Sequence, residues 1–212
     1  MKKGSSETSL DQTLHSFLSS LLWYKDFLNK IAKTKSKILK TKEKKEIFEG
    51  IVVKITAIWE VLAENMLTDC LTIDTSRYSE TKGMRLPKHP NRSVCQGLIT
   101  GHGYFNFKNT ENLKATARKI LVDKYNPFNK ITRSQCKKVD DFYTFRQYVA
   151  HRSNMSKQNL LNTYKNRYHL KRFREPGYFL LSRDKETKQI RFFNYVNIFF
   201  EISDDMAIFL NI

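Results

Sequence analysis

One long run of apolar residues, spaced by three and four positions, constrains the fold of this chain most strongly. The segment EIFEGIVVKITAIWEVLAENMLTDCLTI carries a broad apolar stripe made by Ile47, Ile51, Ile55, Ile58, Leu62, Met66 and Leu67. A stripe this wide is typical of a helix that is buried over much of its surface. The 212 residues include only 7 Gly and 4 Pro, and so few turn formers favour long helices. The sequence therefore predicts a mainly α fold.

The same periodicity occurs in several other parts of the chain. It predicts a first helix that begins near Ser9 or Asp11, a helix capped by Thr110, and a last helix from about Tyr195. Another helix is predicted through Val139, Phe142, Phe145, Val149 and Ala150, with Tyr143 in the core. The lysine-rich run at 33–45 is interpreted as a solvated helix end or turn, and as a possible phosphate-contacting patch.

Two segments interrupt the helical pattern. Residues 74–110 are rich in Pro, Gly, Ser, Asn and Thr and predict a long irregular insertion, in which Gly101-His102-Gly103 is interpreted as a flexible turn. Residues 177–193 predict a small β-hairpin, with two short strands joined at 184–188. The length fits a single domain over residues 1–212 that buries a real core.

The charge of the chain is strongly unbalanced. It has 38 Lys and Arg against 21 Asp and Glu, a formal +17. Such a chain attracts polyanions. Nucleic acid is the first expectation because binding releases counterions from phosphates; an acidic protein is the second, and an anionic membrane surface the third. No run approaches a transmembrane length and no signal core follows the basic N-terminus. We expect a cytoplasmic protein whose Cys70, Cys95 and Cys136 are reduced, buried thiols.

An arginine and a histidine stand five positions apart within DFYTFRQYVAHRSNMSK. The pair is Arg146 and His151. With 12 Arg and 5 His in the chain, this spacing arises by chance about 0.3 times, so the bare pattern is weak. A surface arginine beside a helix-terminal or core histidine is the plain alternative. The context adds weight, because the pair follows an aromatic helical run within basic sequence.

The stretch FRQYVAHR, placed after several long helices, resembles the Rx4-6H motif of the HEPN superfamily. The order of the helices is similar to the RiboL-PSP-HEPN-type branch, loosely over residues 10–175. The resemblance implies an all-α bundle that usually dimerises. It also implies a metal-independent endoribonuclease of bacterial defence or toxin–antitoxin systems, with no cofactor and Arg146 and His151 as the catalytic pair. Gln147 stands where the family commonly has Asn, Asp or His, and the hairpin is not part of the minimal bundle.

These residue types suit RNA cleavage by attack of the 2′-hydroxyl on its own phosphodiester. A histidine can transfer protons near neutral pH, and an arginine stabilises the charge that grows on the phosphoryl oxygens. Five residues along a helix turn by about 140°, so a helix end or two motifs across a twofold axis would bring the groups together. We expect the flanking side chains to contact RNA: Gln147, Tyr148, Arg152, Asn154 and Lys157.

Three functional interpretations stay open. The first is a homodimeric endoribonuclease, for which an antitoxin or another partner in a defence complex is a candidate inhibitor. The second is a non-catalytic basic helical module that binds RNA or a protein within a larger defence complex. A DNA-binding regulator is the weakest of the three, because no helix-turn-helix signature is visible.

Overall fold

The computed structural model describes residues 4–101 and 107–212, so His102 and Gly103 of the predicted turn lie outside the described residues. The described chain forms nine α-helices and two 3₁₀ turns, at Asp123–Tyr125 and Pro127–Lys130. The helices are α1 (Gly4–Lys33), α2 (Thr41–Ile73), α3 (Ser76–Lys82), α4 (Arg92–Thr100), α5 (Thr110–Ile120), α6 (Arg133–His151), α7 (Asn154–Tyr168), α8 (Pro176–Leu181) and α9 (Arg191–Leu210). The mainly α fold is confirmed.

The hairpin prediction over 177–193 is only partly correct: the chain turns back at 184–188, but this segment forms no strands. Its first half is the short helix α8, which begins at Pro176 and buries Phe179 and Leu180. Proline suits the first position of a helix, because its missing N–H would have had no partner there. In the second half, one isolated antiparallel bridge joins Arg183 and Ile190. A short apolar run cannot be assigned to strand or buried helix by periodicity alone.

The described residues divide into two compact units. Unit 1 comprises the described residues within Met1–Leu18, Ile58–Cys136 and Phe200–Ile212, and unit 2 comprises Ser19–Ala57 and Lys137–Phe199. The charge is concentrated in unit 2, which holds 24 of the 38 Lys and Arg and 9 of the 21 Asp and Glu. Unit 2 therefore carries a formal +15 of the net +17.

Unit 1 includes the predicted irregular insertion, and a large part of that insertion is helical. The helices α3 and α4 both lie within 74–110. The side chain of Asn91 caps α4 by accepting from the Val94 N–H at 2.9 Å. Arg92 Nε donates to the buried Asp69 of α2 at 2.7 Å, which fixes the start of α4 on α2. The irregular-insertion prediction is thus only partly correct.

Unit 2 is built around buried aromatic rings from five helices. Phe142 and Phe145 of α6 contact Phe199 and Tyr195 of α9, with ring centroids 5.5 and 5.4 Å apart. Phe48 of α2 contacts Phe192, and Tyr164 of α7 contacts Phe179 of α8. Edge-on and tilted rings at these distances stabilise a core beyond their buried area. Tyr143 is buried, as predicted.

The lysine-rich run is only partly solvated. Lys44 and Lys45 are buried. Lys44 Nζ donates to the carbonyls of Ala32, at 3.0 Å, and Thr34. These carbonyls lie at the C-terminal end of α1, where the helix itself offers no donor, so Lys44 caps that end.

The three cysteines are free and buried, as predicted. Burial raises the pKa of the Cys95 thiol to about 11. None of the helices in the described ranges combines the length and hydropathy needed to cross a bilayer.

Candidate active site

Arg146 and His151 both lie on α6, but they lie on different sides of it. Arg146 is half-buried, and His151 is exposed as the last residue of the helix. Five residues turn the helix by about 140°, so within one chain the two side chains leave α6 in diverging directions. Gln147 is exposed and precedes His151 by four positions, so it shares the face of His151.

Neither member of the pair is engaged by another side chain. Across the described residues, the side chains of Arg146 and His151 take part in no hydrogen bond, ion pair or ring contact. By contrast, the side chain of Arg152 is surrounded by carboxylates. Its backbone, directly after the last residue of α6, has a φ of 45°. The arginine and histidine of the motif are therefore available to an external anion.

Arg152, predicted to contact RNA, is instead the centre of a carboxylate cluster. Its guanidinium lies 3.0 Å from Glu49, 3.8 Å from Glu46 and 3.7 Å from Glu175. Glu49 also accepts from the Gly177 N–H at 2.9 Å and lies 3.6 Å from Lys45. We name these side chains the Arg152 cluster: Lys45, Glu46, Glu49, Tyr148, Arg152 and Glu175.

Burial is the main influence on the pKa of two acidic members of the Arg152 cluster, Glu49 and Tyr148. It raises the pKa of Glu49, although the Gly177 N–H, Lys45 and Arg152 all act in the opposite direction. Tyr148, also predicted to contact RNA, is buried and donates its hydroxyl to Glu175 at 3.0 Å. Burial, and then that hydrogen bond, raise the pKa of Tyr148. Tyr148 and Arg152 thus join α6 to α2 and to the segment before α8.

The other flanking residues lie at the start of α7 and are exposed. Asn154 is the first residue of α7, which Ser153 caps by accepting from the Ser156 N–H at 3.2 Å. Lys157 is exposed, and its ammonium lies 5.0 Å from the centre of the Phe173 ring. Gln147, Asn154 and Lys157 thus remain accessible near the end of α6.

A second polar cluster in unit 2 was not predicted from the sequence. The buried Asp141 of α6 pairs with Arg167 and accepts from the hydroxyl of Tyr168, which also contacts the hydroxyl of Tyr195. Burial raises the pKa of Asp141 to about 6, against the opposing effects of Tyr168 and Arg167. In the sequence Asp141 stands beside Phe142 of the predicted apolar stripe, and its spacing gave no sign of this cluster.

Several cations beyond the pair are exposed along and after α7. Lys165, Lys171, Arg172 and Arg174 are exposed and have no carboxylate partner among the described side chains. They add to the positive charge of unit 2 and are suited to contacting phosphates.

Comparison with models of protein families, with curated proteins and with solved structures gives no match to this chain.

Proposed function

We propose that the protein is a metal-independent endoribonuclease that binds RNA through unit 2. In this proposal His151 transfers the protons and Arg146 stabilises the charge on the phosphoryl oxygens. The 2′-hydroxyl loses its proton as its oxygen bonds to phosphorus, and the bond to the 5′-oxygen breaks. The products are a 2′,3′-cyclic phosphate and a protonated 5′-hydroxyl.

The contrast between Arg146 and its neighbours carries this proposal. Arg152 and Arg167 lie against carboxylates, whereas Arg146 and His151 are without a partner in the described part of the chain. An unneutralised arginine and an exposed histidine, in a unit with a formal +15, are suited to a phosphodiester. The resemblance of FRQYVAHR to the HEPN motif adds the reaction class and a defence or toxin–antitoxin setting.

Because the side chains of Arg146 and His151 diverge within one chain, the proposal also includes a dimer. Two copies of the chain would form the site, with Arg146 from one copy and His151 from the other. A twofold axis near the end of α6 would make two such sites. An inhibitory partner protein is part of the same proposal in a toxin–antitoxin setting.

The same divergence favours one alternative function. A module that binds RNA or an acidic protein through unit 2 without cleavage needs no convergence of Arg146 with His151. The charge of unit 2 supports either function, so catalysis has to be measured directly.

The first test is cleavage of total RNA in EDTA by the purified protein. We expect His151→Ala and Arg146→Ala each to lose at least about a hundredfold in rate, because each removes a group that acts in the transition state. His169→Ala is the matched control, since His169 is also exposed and ends a helix. Equal cleavage by the wild type and by both pair variants would refute the proposal, and RNA binding without cleavage would support the alternative.

Mixing the two variants tests whether two copies share the site. A one-to-one mixture of Arg146→Ala and His151→Ala regains about a quarter of the wild-type rate if the pair acts across two copies, because half of the dimers then hold one intact site. A pair that acts within one chain gives no recovery. The 2′,3′-cyclic end of the product identifies the chemistry.

A further inference from the structure

A groove in unit 2 has no role in the proposed function. It has a volume of about 570 Å³ and lies between the C-terminal half of α1 and the segment that leads into α9. Pockets of about 300–1,000 Å³ are usual for small ligands of nucleotide size. Neither Arg146 nor His151 lines it.

The charged side chains of the groove favour an anion. Lys25, Lys33 and Arg183 line it, against the single carboxylate of Asp26. Lys33 is exposed at the end of α1, and Arg183 Nη1 donates to the Lys188 carbonyl at 2.9 Å. That bond uses one of the five N–H donors of the arginine and leaves its charge without a carboxylate. A phosphate group between Lys33 and Arg183 would meet both cations.

The remaining lining side chains suit a flat, polar-edged ring. Phe193 of α9 is half-buried and lies edge-on to Phe192, with centroids 5.8 Å apart. Three amides, Asn29, Gln189 and Asn197, also line the groove. The Asn197 Oδ1 accepts from Lys25 Nζ at 3.1 Å, which leaves its NH₂ group as a donor, and an amide such as Asn29 or Gln189 has both a donor and an acceptor. The edges of nucleobases present the same mixture, and bases stack on aromatic side chains.

We propose that this groove binds one nucleotide, with its phosphate on Lys33 and Arg183 and its base against Phe193 and the neighbouring amides. The nucleotide is either free or one residue of a single strand of RNA. Because the groove shares no residue with the pair, this inference does not depend on cleavage.

Calorimetric titration of the full-length protein tests the inference with two probes. One probe is AMP, and the other is an eight-residue oligonucleotide that is 2′-O-methylated, so that it cannot be cut by 2′-hydroxyl attack. Saturable binding of AMP identifies a free nucleotide as a ligand. Binding of the oligonucleotide alone identifies a residue of single-stranded RNA.

Matched variants locate the binding. We expect Arg183→Gln and Lys33→Gln each to raise the Kd about tenfold, since each removes a charge-assisted hydrogen bond to phosphate. Lys185→Gln and Lys30→Gln, which remove equal charges close by in the chain but outside the groove, should change the Kd less than about twofold. Phe193→Leu, which keeps an apolar side chain, should raise the Kd several-fold. Circular dichroism confirms that each variant is folded.

Three outcomes would overturn the inference. One is no binding of either probe by the folded wild type. Another is an equal loss of affinity in Arg183→Gln and Lys185→Gln, which would reflect net charge alone. The third is wild-type affinity in Phe193→Leu, which would show that the base does not stack on Phe193.

Discussion

Asp141 lies on α6 with 2% of its side chain exposed, paired with Arg167 and hydrogen-bonded by Tyr168. Burial nevertheless raises its pKa from 3.8 to about 6. The folded chain therefore holds a proton at Asp141 more tightly than the unfolded chain does. The stabilisation from this proton is complete below about pH 4 and is lost as the pH rises through about 6.

Replacement of Asp141 by Asn makes this pH dependence measurable. The free energy of unfolding of the wild type should fall relative to Asp141→Asn by about 2 kcal/mol between pH 4 and pH 7. Urea denaturation at a series of pH values measures the difference, in which the titration of unaffected groups cancels. Tyr168→Phe removes a hydrogen bond that lowers the pKa, so it should move the fall to higher pH. A difference that rises with pH would show that the Arg167 ion pair outweighs burial.

At this scale the sequence indicates which residue types are present, but it does not indicate their partners. The spacing of Arg146 and His151 is visible in the sequence, as is the helix that carries them. The carboxylates around Arg152 are not, because Glu49 lies 103 positions away along the chain. A basic residue beside a basic motif was therefore interpreted as a phosphate contact, whereas the structure places it against carboxylates.

Within unit 2, α8 approaches α2 so closely at Gly177 that the space beside the glycine Cα holds a hydrogen atom but no Cβ. A Cβ on Gly177 would lie 2.4 Å from the backbone oxygen of Lys45. The Gly177 N–H also donates to Glu49 of α2 at 2.9 Å. The contact is between two backbones, so a larger residue cannot be accommodated by a change of rotamer.

Two Gly→Ala variants test this contact between α2 and α8. Gly177→Ala should lower the free energy of unfolding by about 3 kcal/mol, because the helices must separate. Gly50→Ala should raise it by about 0.5–1 kcal/mol, since Gly50 is exposed within α2 and its Cβ would meet nothing within 4 Å. Thermal and urea unfolding measure both. Effects of the same sign and size would contradict the close approach.

Most of the long helices could be predicted from the sequence, whereas the 15-residue α7 and the short helices could not. Apolar residues at steps of three and four predicted α1, α2, α5, α6 and α9. The helices α3 and α4 are short, at seven and nine residues. The start of α4 depends on Asn91 as a cap and on the contact of Arg92 with Asp69, whereas the residue before α3 provides no side-chain cap. Six residues of α8 form fewer than two turns, too few for a helical period to be recognised.

For the whole molecule, the distribution of charge matters more than its total. The sequence shows the net +17 directly. It does not show that unit 2 holds nearly all of it, because unit 2 is assembled from two segments separated by residues 58–136. This localised positive charge predicts that unit 2 contacts the phosphates of the proposed RNA ligand.

Two triple variants of equal net charge test this localisation. We expect Lys165→Gln, Lys171→Gln and Arg172→Gln together to weaken RNA binding and to reduce the slope of log K against log salt by about 0.7 for each lost phosphate contact. Lys82→Gln, Lys108→Gln and Arg118→Gln, all exposed in unit 1, should leave the slope nearly unchanged. Fluorescence anisotropy at several salt concentrations measures both, and equal losses would mean that RNA contacts both units.

The Arg152 cluster also bears on how a mutational survey of the chain would be interpreted. Arg152 follows His151 directly, and its contacts with Glu49 and Glu175 hold the backbone at the end of α6. A variant such as Arg152→Ala would release that backbone and leave Glu49 buried with one cation fewer. Under the proposed function, loss of cleavage in such a variant would therefore be explained by displacement of His151. It would not show that Arg152 itself contacts RNA.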